Sequence, residues 1–161
     1  MANTYTQIYI QIVYAVNGRK NLIRKSFKDE LEKFIAGIIT NRKQKLYAIY
    51  AMPDHVHILV SMSPNISVSD LARDIKAGSS KFVNDKKYLP QKFSWQAGFG
   101  AFSYSKSHLS RVVNYILNQE EHHKKKSFKE EYLELLEKFE IEFDEKYLFR
   151  WIDESSKESE K

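Results

Sequence analysis

Two apolar segments separated by Pro53-Asp54 constrain the fold more than any other stretch of this chain. The first covers residues 46–52 and the second covers residues 55–62. Side chains two positions apart point to the same face of a strand. In the second segment the alternate apolar residues therefore share one face, while His55 and His57 share the other. The pattern predicts an antiparallel hairpin that holds two imidazoles side by side.

Hydrophobic periodicity predicts an α+β fold around this hairpin. The order β-α-β-β-α-β is typical of the ferredoxin-like, RRM-like split βαβ arrangement. We expect an antiparallel sheet with helices on one face, the other face free for a ligand, and a C-terminal helix that carries Tyr115. The remaining predicted features are strands over 5–16 and 95–104, helices capped by Ser26, Ser67 and Ser107, a charged junction over 120–131 and a helix over 132–139.

Length and composition limit the class of protein. We predict that residues 1–150 form a single domain and that residues 151–161 form a frayed tail. The chain has no cysteine, so disulfides, thiolate zinc sites and cysteine nucleophiles are excluded. No apolar run approaches the roughly 20 residues that span a bilayer, and the N-terminal sequence does not resemble a signal peptide. We expect no membrane association and a cytoplasmic location.

The net charge of +5 is distributed unevenly. Residues 1–119 carry 17 Lys and Arg against 7 Asp and Glu, whereas residues 120–161 carry 9 against 14. A basic body favours an anionic partner, most commonly nucleic acid, although a solvated lysine-rich surface would have the same composition. The cationic candidates for contact with nucleic acid are Arg73, Lys76, Lys81 and Lys106.

A second segment adds possible chemistry to the histidine pair. Tyr115 and Gln119 are one helical turn apart, so a helix presents them on the same side. They can be a packing residue and a solvated amide, or a nucleophile and a neutral oxygen ligand to a metal held by His55 and His57. Imidazole and amide ligands without a thiolate suit Mg²⁺ or Mn²⁺ better than a closed zinc site. The phenol would need activation, because its reference pKa is about 10.

Other candidates have two interpretations each. His123 can reach the same metal or a phosphate, but His122 and His123 can equally bind carbonyl groups at the end of the helix. Lys124-Lys125-Lys126 can contact phosphates or remain solvated. The aromatic residues of the segment 95–104 can stack on unpaired bases, although half or more of them are expected in the core.

His-hydrophobic-His followed by one helical tyrosine and a glutamine four residues later resembles the single-tyrosine HUH transposases of small bacterial insertion sequences, including those associated with REP sequences. The segments 95–103 and 115–123 also resemble that family, and the resemblance covers roughly residues 4–140. It implies that His55, His57 and Gln119 bind the metal and that Tyr115 is the nucleophile.

The resemblance also implies the reaction. A metal-assisted transposase of this kind cleaves single-stranded DNA beside hairpins, forms a 5′-phosphotyrosine and a free 3′-hydroxyl, and later rejoins the strand. The family acts as a homodimer in which one chain can complete the partner's active site. A bacterial, DNA-associated location follows.

A non-catalytic alternative has a different basis. An RRM-like sheet could bind hairpin RNA or single-stranded DNA without cutting it. That hypothesis explains the fold, the charge and the aromatic residues, but it treats the histidine pair and Tyr115 with Gln119 as a coincidence.

Overall fold

The computed structural model describes residues 3–18 and 21–151. These residues form four strands and five helices in the order β1-α1-β2-β3-α2-β4-α3-α4-α5, with 3-10 turns at Lys106–His108 and Glu145–Tyr147. The strands are β1 (Tyr9–Ala15), β2 (Lys45–Ala51), β3 (His55–Ser61) and β4 (Gly100–Tyr104). The helices are α1 (Lys25–Asn41), α2 (Val68–Asp85), α3 (Leu109–Leu117), α4 (Gln119–His123) and α5 (Phe128–Lys138).

The strands form one antiparallel sheet in the order β2-β3-β1-β4. This order confirms the predicted ferredoxin-like α+β fold. The hairpin predicted from Pro53-Asp54 connects β2 to β3. The predicted strand over 5–16 begins four residues later than expected, and the one over 95–104 is shorter, because residues 96–99 form a loop before β4.

Helices cover both faces of this sheet. Helices α1 and α2 lie on the face that holds Val56, Ile58 and Val60, and they bury Leu31, Ile35, Leu71 and Ile75 against it. Helix α3 packs on the opposite face, where Val112 and Ile116 contact Leu59 and Ala48. Helix α5 covers the β4 side of that face through Tyr132, whose ring meets Phe102. The expectation of an open second face is therefore wrong.

Helix boundaries follow the capping rules only in part. Ser67 caps α2 as predicted, because its hydroxyl accepts a hydrogen bond from the Asp70 amide at 3.0 Å. Ser26 lies inside α1, which begins after Arg24 without a side-chain cap. Ser107 does not cap α3, since a 3-10 turn precedes that helix. The predicted charged junction over 120–131 is also wrong, because most of that stretch belongs to α4 and to the start of α5.

Two further expectations concern the C-terminal tail and membrane association. Of the predicted tail over 151–161, residues 152–161 lie outside the described residues. Within the described ranges, no helix is both long enough and apolar enough to cross a membrane.

Candidate active site

The two histidines of β3 point away from the α1–α2 layer and are completely buried. The neighbouring strand β1 and the β2–β3 turn fix their rings. Nδ1 of His57 lies 2.7 Å from Oε1 of Gln11, and Nδ1 of His55 lies 2.6 Å from Oδ1 of Asp54. A carbonyl and a carboxylate oxygen can only accept here, so each Nδ1–H donates. Both Nε2 atoms are left facing the interior between the sheet and the later helices.

Helices α3 and α4 bring Tyr115 and Gln119 to the same interior. The chain bends at Asn118 between the two helices, so the single continuous helix expected from the sequence is interrupted. Tyr115 and Gln119 nevertheless lie next to the two histidines. The rings of Tyr115 and His57 lie 6.0 Å apart at 85°, and Oε1 of Gln119 lies 3.4 Å from Nε2 of His55.

Helices α4 and α5 add two residues, His123 and Glu131. Nε2 of His123 lies 2.9 Å from Oε1 of Gln119, and its Nδ1 donates to the carbonyl oxygen of Lys126 at 2.9 Å. Nε2 of His123 thus lies beside the candidate metal ligands, while Nδ1 binds a carbonyl group after the helix. Each of the two interpretations of His123 accounts for one of these contacts. Oε1 of Glu131 lies 2.9 Å from Nε2 of His57, and Oε2 accepts hydrogen bonds from the Tyr115 hydroxyl and from Nε2 of Gln119.

The electrostatics of this group follow from burial and mutual contact. Burial acts to raise the pKa of Glu131, but the charges and hydrogen bonds of His57 and His123 lower it overall. Burial acts to lower the pKa of His123, and the Glu131 carboxylate reverses this and raises it. Burial lowers the pKa of His57 despite the carboxylate. Burial and the Glu131 charge raise the pKa of Tyr115 above its ordinary value of 10.0.

Four of these residues form a group that could hold a metal ion. One ligand atom from each of His55, His57, His123 and Glu131 lies within 4.8 Å of the others. Imidazole nitrogen and carboxylate oxygen are the donors that borderline and hard divalent cations accept. The donor set therefore fits a divalent metal, and Gln119 adds an amide oxygen beside it.

A cavity of about 730 Å³ opens next to the site at the ends of the strands. Asp54 and His123 belong to its lining, and Phe128 and Trp151 supply aromatic surface. Three cations, Lys126, Lys129 and Arg150, lie around it beside the acidic residues Asp54 and Glu130. Lys126 forms an ion pair with Glu134. The cavity can therefore receive an anionic, partly planar ligand next to the buried histidines.

The basic residues predicted to contact nucleic acid lie elsewhere. Arg73 and Lys81 on α2 form ion pairs with acidic residues of the same helix, and Lys76 donates to carbonyl groups of the segment 96–98. Helix α2 belongs to the layer opposite the histidines. Lys106 is exposed in the turn before α3. The structure does not bring these four residues together with the metal donors.

Sequence reasoning missed three residues of the site, Gln11, Asp54 and Glu131. Gln11 is a polar residue among the apolar residues of β1, and this interruption was a signal that the sequence offered. In the structure Gln11 is completely buried, which is unusual for a polar side chain. Asp54 directly precedes the histidine pair. Glu131 lies in a charged stretch and had no distinguishing pattern. His122, which had no fixed role, lies with its ring 4.7 Å from that of Tyr115.

Comparison with known proteins identifies relatives of this chain. A family model described as "Transposase IS200 like" matches residues 4–119. The ISDra2 transposase TnpA of Deinococcus radiodurans is 21% identical over 118 residues, which cover 70% of this chain and 84% of the relative.

Two solved structures have the same fold. A transposase from Deinococcus radiodurans R1 superposes with a TM-score of 0.59 at 22% identity, covering 74% of this chain and 95% of the other. A REP-associated tyrosine transposase bound to a REP hairpin superposes with a TM-score of 0.58 at 17% identity, covering 76% and 73%. The family match ends at Gln119, so His123 and Glu131 lie beyond it.

Proposed function

This chain belongs to the IS200-like transposase family, and we propose that it cleaves and rejoins single-stranded DNA through a 5′-phosphotyrosine on Tyr115 with the help of a divalent metal. One observation carries the proposal. Among the described residues, the aromatic ring pairs that His55 and His57 form include one phenol, that of Tyr115, whose ring lies 6.0 Å from that of His57 at 85°. The proposed nucleophile and the proposed metal ligands therefore lie close together within one chain.

We propose the following covalent step at Tyr115. The Tyr115 oxygen forms a bond to phosphorus, and the bond from phosphorus to the 3′-oxygen breaks. The phenolic proton is lost to solvent, and the leaving oxygen takes up a proton to become a free 3′-hydroxyl. In the reverse direction a 3′-hydroxyl attacks the phosphotyrosine and releases Tyr115, so the energy of the phosphodiester bond is retained and no nucleotide cofactor is needed.

The residues of this chain prepare that step. His55, His57 and Gln119 would hold the metal, and Gln11 and Asp54 orient the two imidazoles. When bound, the metal polarises the phosphate oxygens and stabilises the charge that develops on them. Nitrogen and oxygen ligands without a thiolate favour Mg²⁺ or Mn²⁺ as the cation. Burial and the Glu131 charge raise the pKa of Tyr115, so its phenol is protonated near neutral pH before substrate binds.

The DNA substrate would approach through the 730 Å³ cavity. Its cations suit a phosphate backbone, and its aromatic rings suit an unpaired base. We propose a hairpin beside the cleaved strand, because a structural neighbour is a tyrosine transposase bound to a REP hairpin. A cytoplasmic, DNA-associated location would follow. We keep the homodimer as part of the proposal, although the site described above uses one chain only.

The non-catalytic alternative needs a sheet face that RNA or DNA can reach. In the described part of the chain, α3 and α5 cover that face. The alternative therefore loses its main structural support.

Tyr115→Phe tests the proposal directly. Single-stranded DNA from both flanks of the gene is incubated with protein and Mn²⁺ or Mg²⁺ and separated on a denaturing gel. We expect a slow covalent product with the wild type and none with Tyr115→Phe or with chelator. Tyr47→Phe is the matched control, because it removes a phenolic hydroxyl on the same side of the sheet, outside the donor group.

The outcomes separate the hypotheses. A covalent product that persists in Tyr115→Phe would show that another residue is the nucleophile. Tight hairpin binding by the wild type, unaffected by chelator and without any covalent product, would instead favour the binding module.

A further inference from the structure

We infer that Glu131 binds the metal through one carboxylate oxygen and holds the nucleophile Tyr115 through the other. The inference deepens the proposed function and rests on it for the role of Tyr115. Glu131 lies on α5, beyond the residues that the family model matches. The chain would therefore complete its metal site with a carboxylate that the motif of residues 55–57 and 115–119 does not contain.

Distances between donor atoms support a common ligand position. Oε1 of Glu131 lies 2.9 Å from Nε2 of His57, 3.3 Å from that of His123 and 3.7 Å from that of His55. With metal–ligand bonds of about 2.0–2.2 Å, neighbouring ligand atoms lie about 2.8–3.6 Å apart at tetrahedral or octahedral angles. The separations to His57 and His123 lie in that range, and the 3.7 Å separation to His55 slightly exceeds it. All four ligand atoms lie within 4.8 Å of one another.

The orientation of the imidazoles points to the same position. Each of the three rings donates its Nδ1–H to an oxygen, from Asp54, Gln11 or the Lys126 backbone. Each Nε2 therefore presents a lone pair toward Oε1 of Glu131 unless the ring is protonated. Acceptors facing each other at these distances repel, and either a shared proton or a cation among them removes the repulsion.

Among the described residues, only imidazoles and neutral hydrogen-bond donors surround the Glu131 carboxylate. Its side chain is 6% exposed, and within the described ranges its ion-pair partners are the three imidazoles. A buried carboxylate is stable when it is paired or bound to a metal. No described lysine or arginine contacts it, so a divalent cation is the partner that the surroundings fit.

The second oxygen of Glu131 is engaged differently. Oε2 accepts hydrogen bonds from the Tyr115 hydroxyl and, at 3.1 Å, from Nε2 of Gln119. One rigid carboxylate group thus connects the metal position to the nucleophile. Glu131 would position the phenol, and a fixed phenol loses less entropy on the way to the phosphorus atom.

The donor set also bears on which metal is bound. Three imidazoles and a carboxylate are a more nitrogen-rich set than Mg²⁺ usually accepts, because Mg²⁺ prefers oxygen ligands and retains several waters. Mn²⁺ accepts both donor types and binds nitrogen ligands more readily. We expect this site to prefer Mn²⁺ over Mg²⁺.

Titration calorimetry with Mn²⁺ and no DNA tests the ligand role. We expect Glu131→Gln to weaken Mn²⁺ binding by about tenfold or more, the scale seen when groups around a metal are removed. Glu137→Gln is the matched control, since it removes one negative charge from an exposed position on the same helix. Equal Mn²⁺ affinity of the wild type and Glu131→Gln would overturn the inference.

A crystal structure of the wild type with Mn²⁺ tests the ligand role even if the variant does not fold. The anomalous signal of Mn²⁺ should lie about 2.1–2.2 Å from a Glu131 oxygen. A Mn²⁺ peak bound by His55 and His57 but outside bonding distance of Glu131 would overturn the inference.

Single-turnover cleavage tests the positioning role. At saturating Mn²⁺, Glu131→Gln should slow formation of the covalent product while the Kd for hairpin DNA stays unchanged. An unchanged rate at saturating Mn²⁺ would refute that role. If Glu131 binds Mn²⁺ but the wild type forms no covalent product, the ligand assignment stands and the proposed transposase reaction fails.

Discussion

The two faces of strand β3 present a direct contrast. Val56, Ile58 and Val60 face α1 and α2, and each is completely buried among apolar side chains. His55 and His57 alternate with these residues along the strand. They are equally buried, but they contact imidazoles, amides and a carboxylate. The same strand therefore holds a core on one side and a chemical site on the other.

The contrast shows what each face contributes. The apolar face stabilises the folded state in proportion to the apolar area that it removes from water. The polar face gains little from burial, because each polar group must find a partner to offset its lost hydration. We expect the first face to determine stability and the second to determine metal binding and DNA chemistry.

The largest expected effect concerns the polar face. His57→Ala and Tyr115→Phe should each abolish formation of the covalent DNA product. Because both residues meet inside one chain, we expect a mixture of the two variants to remain inactive on the denaturing gel. Recovered cleavage in heterodimers, verified by differential tags, would show that α3 exchanges between partners and that the site is shared.

The apolar face should respond through stability. Ile58→Ala removes a fully buried side chain, so we expect a loss of about 2–5 kcal/mol in the free energy of unfolding. Chemical denaturation measures the loss. Below the unfolding transition the Mn²⁺ affinity should stay close to that of the wild type. A large loss of metal affinity in the folded variant would contradict the separation of the two faces.

The smallest expected effect concerns the cations of each layer. Lys129 lines the cavity next to the histidines, whereas Lys81 lies on α2 in an ion pair with Asp85. For hairpin binding, the slope of the logarithm of the binding constant against the logarithm of the salt concentration should become shallower by about one unit in Lys129→Ala. That change is expected for one lost phosphate contact. Lys81→Ala serves as the control.

The reverse result would be informative as well. A larger change with Lys81→Ala than with Lys129→Ala would move the DNA path to the α2 layer. It would then support the sequence-based assignment of Arg73, Lys76 and Lys81 as contacts to nucleic acid.

Local rules explain which parts of this molecule could be predicted. Alternation along residues 55–60 gave the correct faces of β3, because the period of a strand is fixed by backbone geometry. Helical spacing placed Tyr115 and Gln119 on one side, and the two remain together despite the bend at Asn118. Their roles in metal binding and catalysis stay predictions.

Other parts depended on contacts between distant segments. Glu131 acquires its significance only when α5 packs over the sheet, and no local pattern distinguishes it from the exposed glutamates around it. Ser26 and Ser107 satisfy the composition of a cap, but the helices begin elsewhere. The expectation of an open face failed for the same reason, since the ferredoxin-like pattern does not specify where later helices dock.

The spread of the site along the chain has a consequence for folding. His57 contacts Gln11 at a separation of 46 residues and Glu131 at a separation of 74 residues. Contacts this distant in sequence form late, after the entropy of closing long loops has been lost. A partly folded chain would therefore have neither a complete metal site nor a positioned tyrosine. If the proposed function is correct, such a chain could not cleave DNA before α5 had docked.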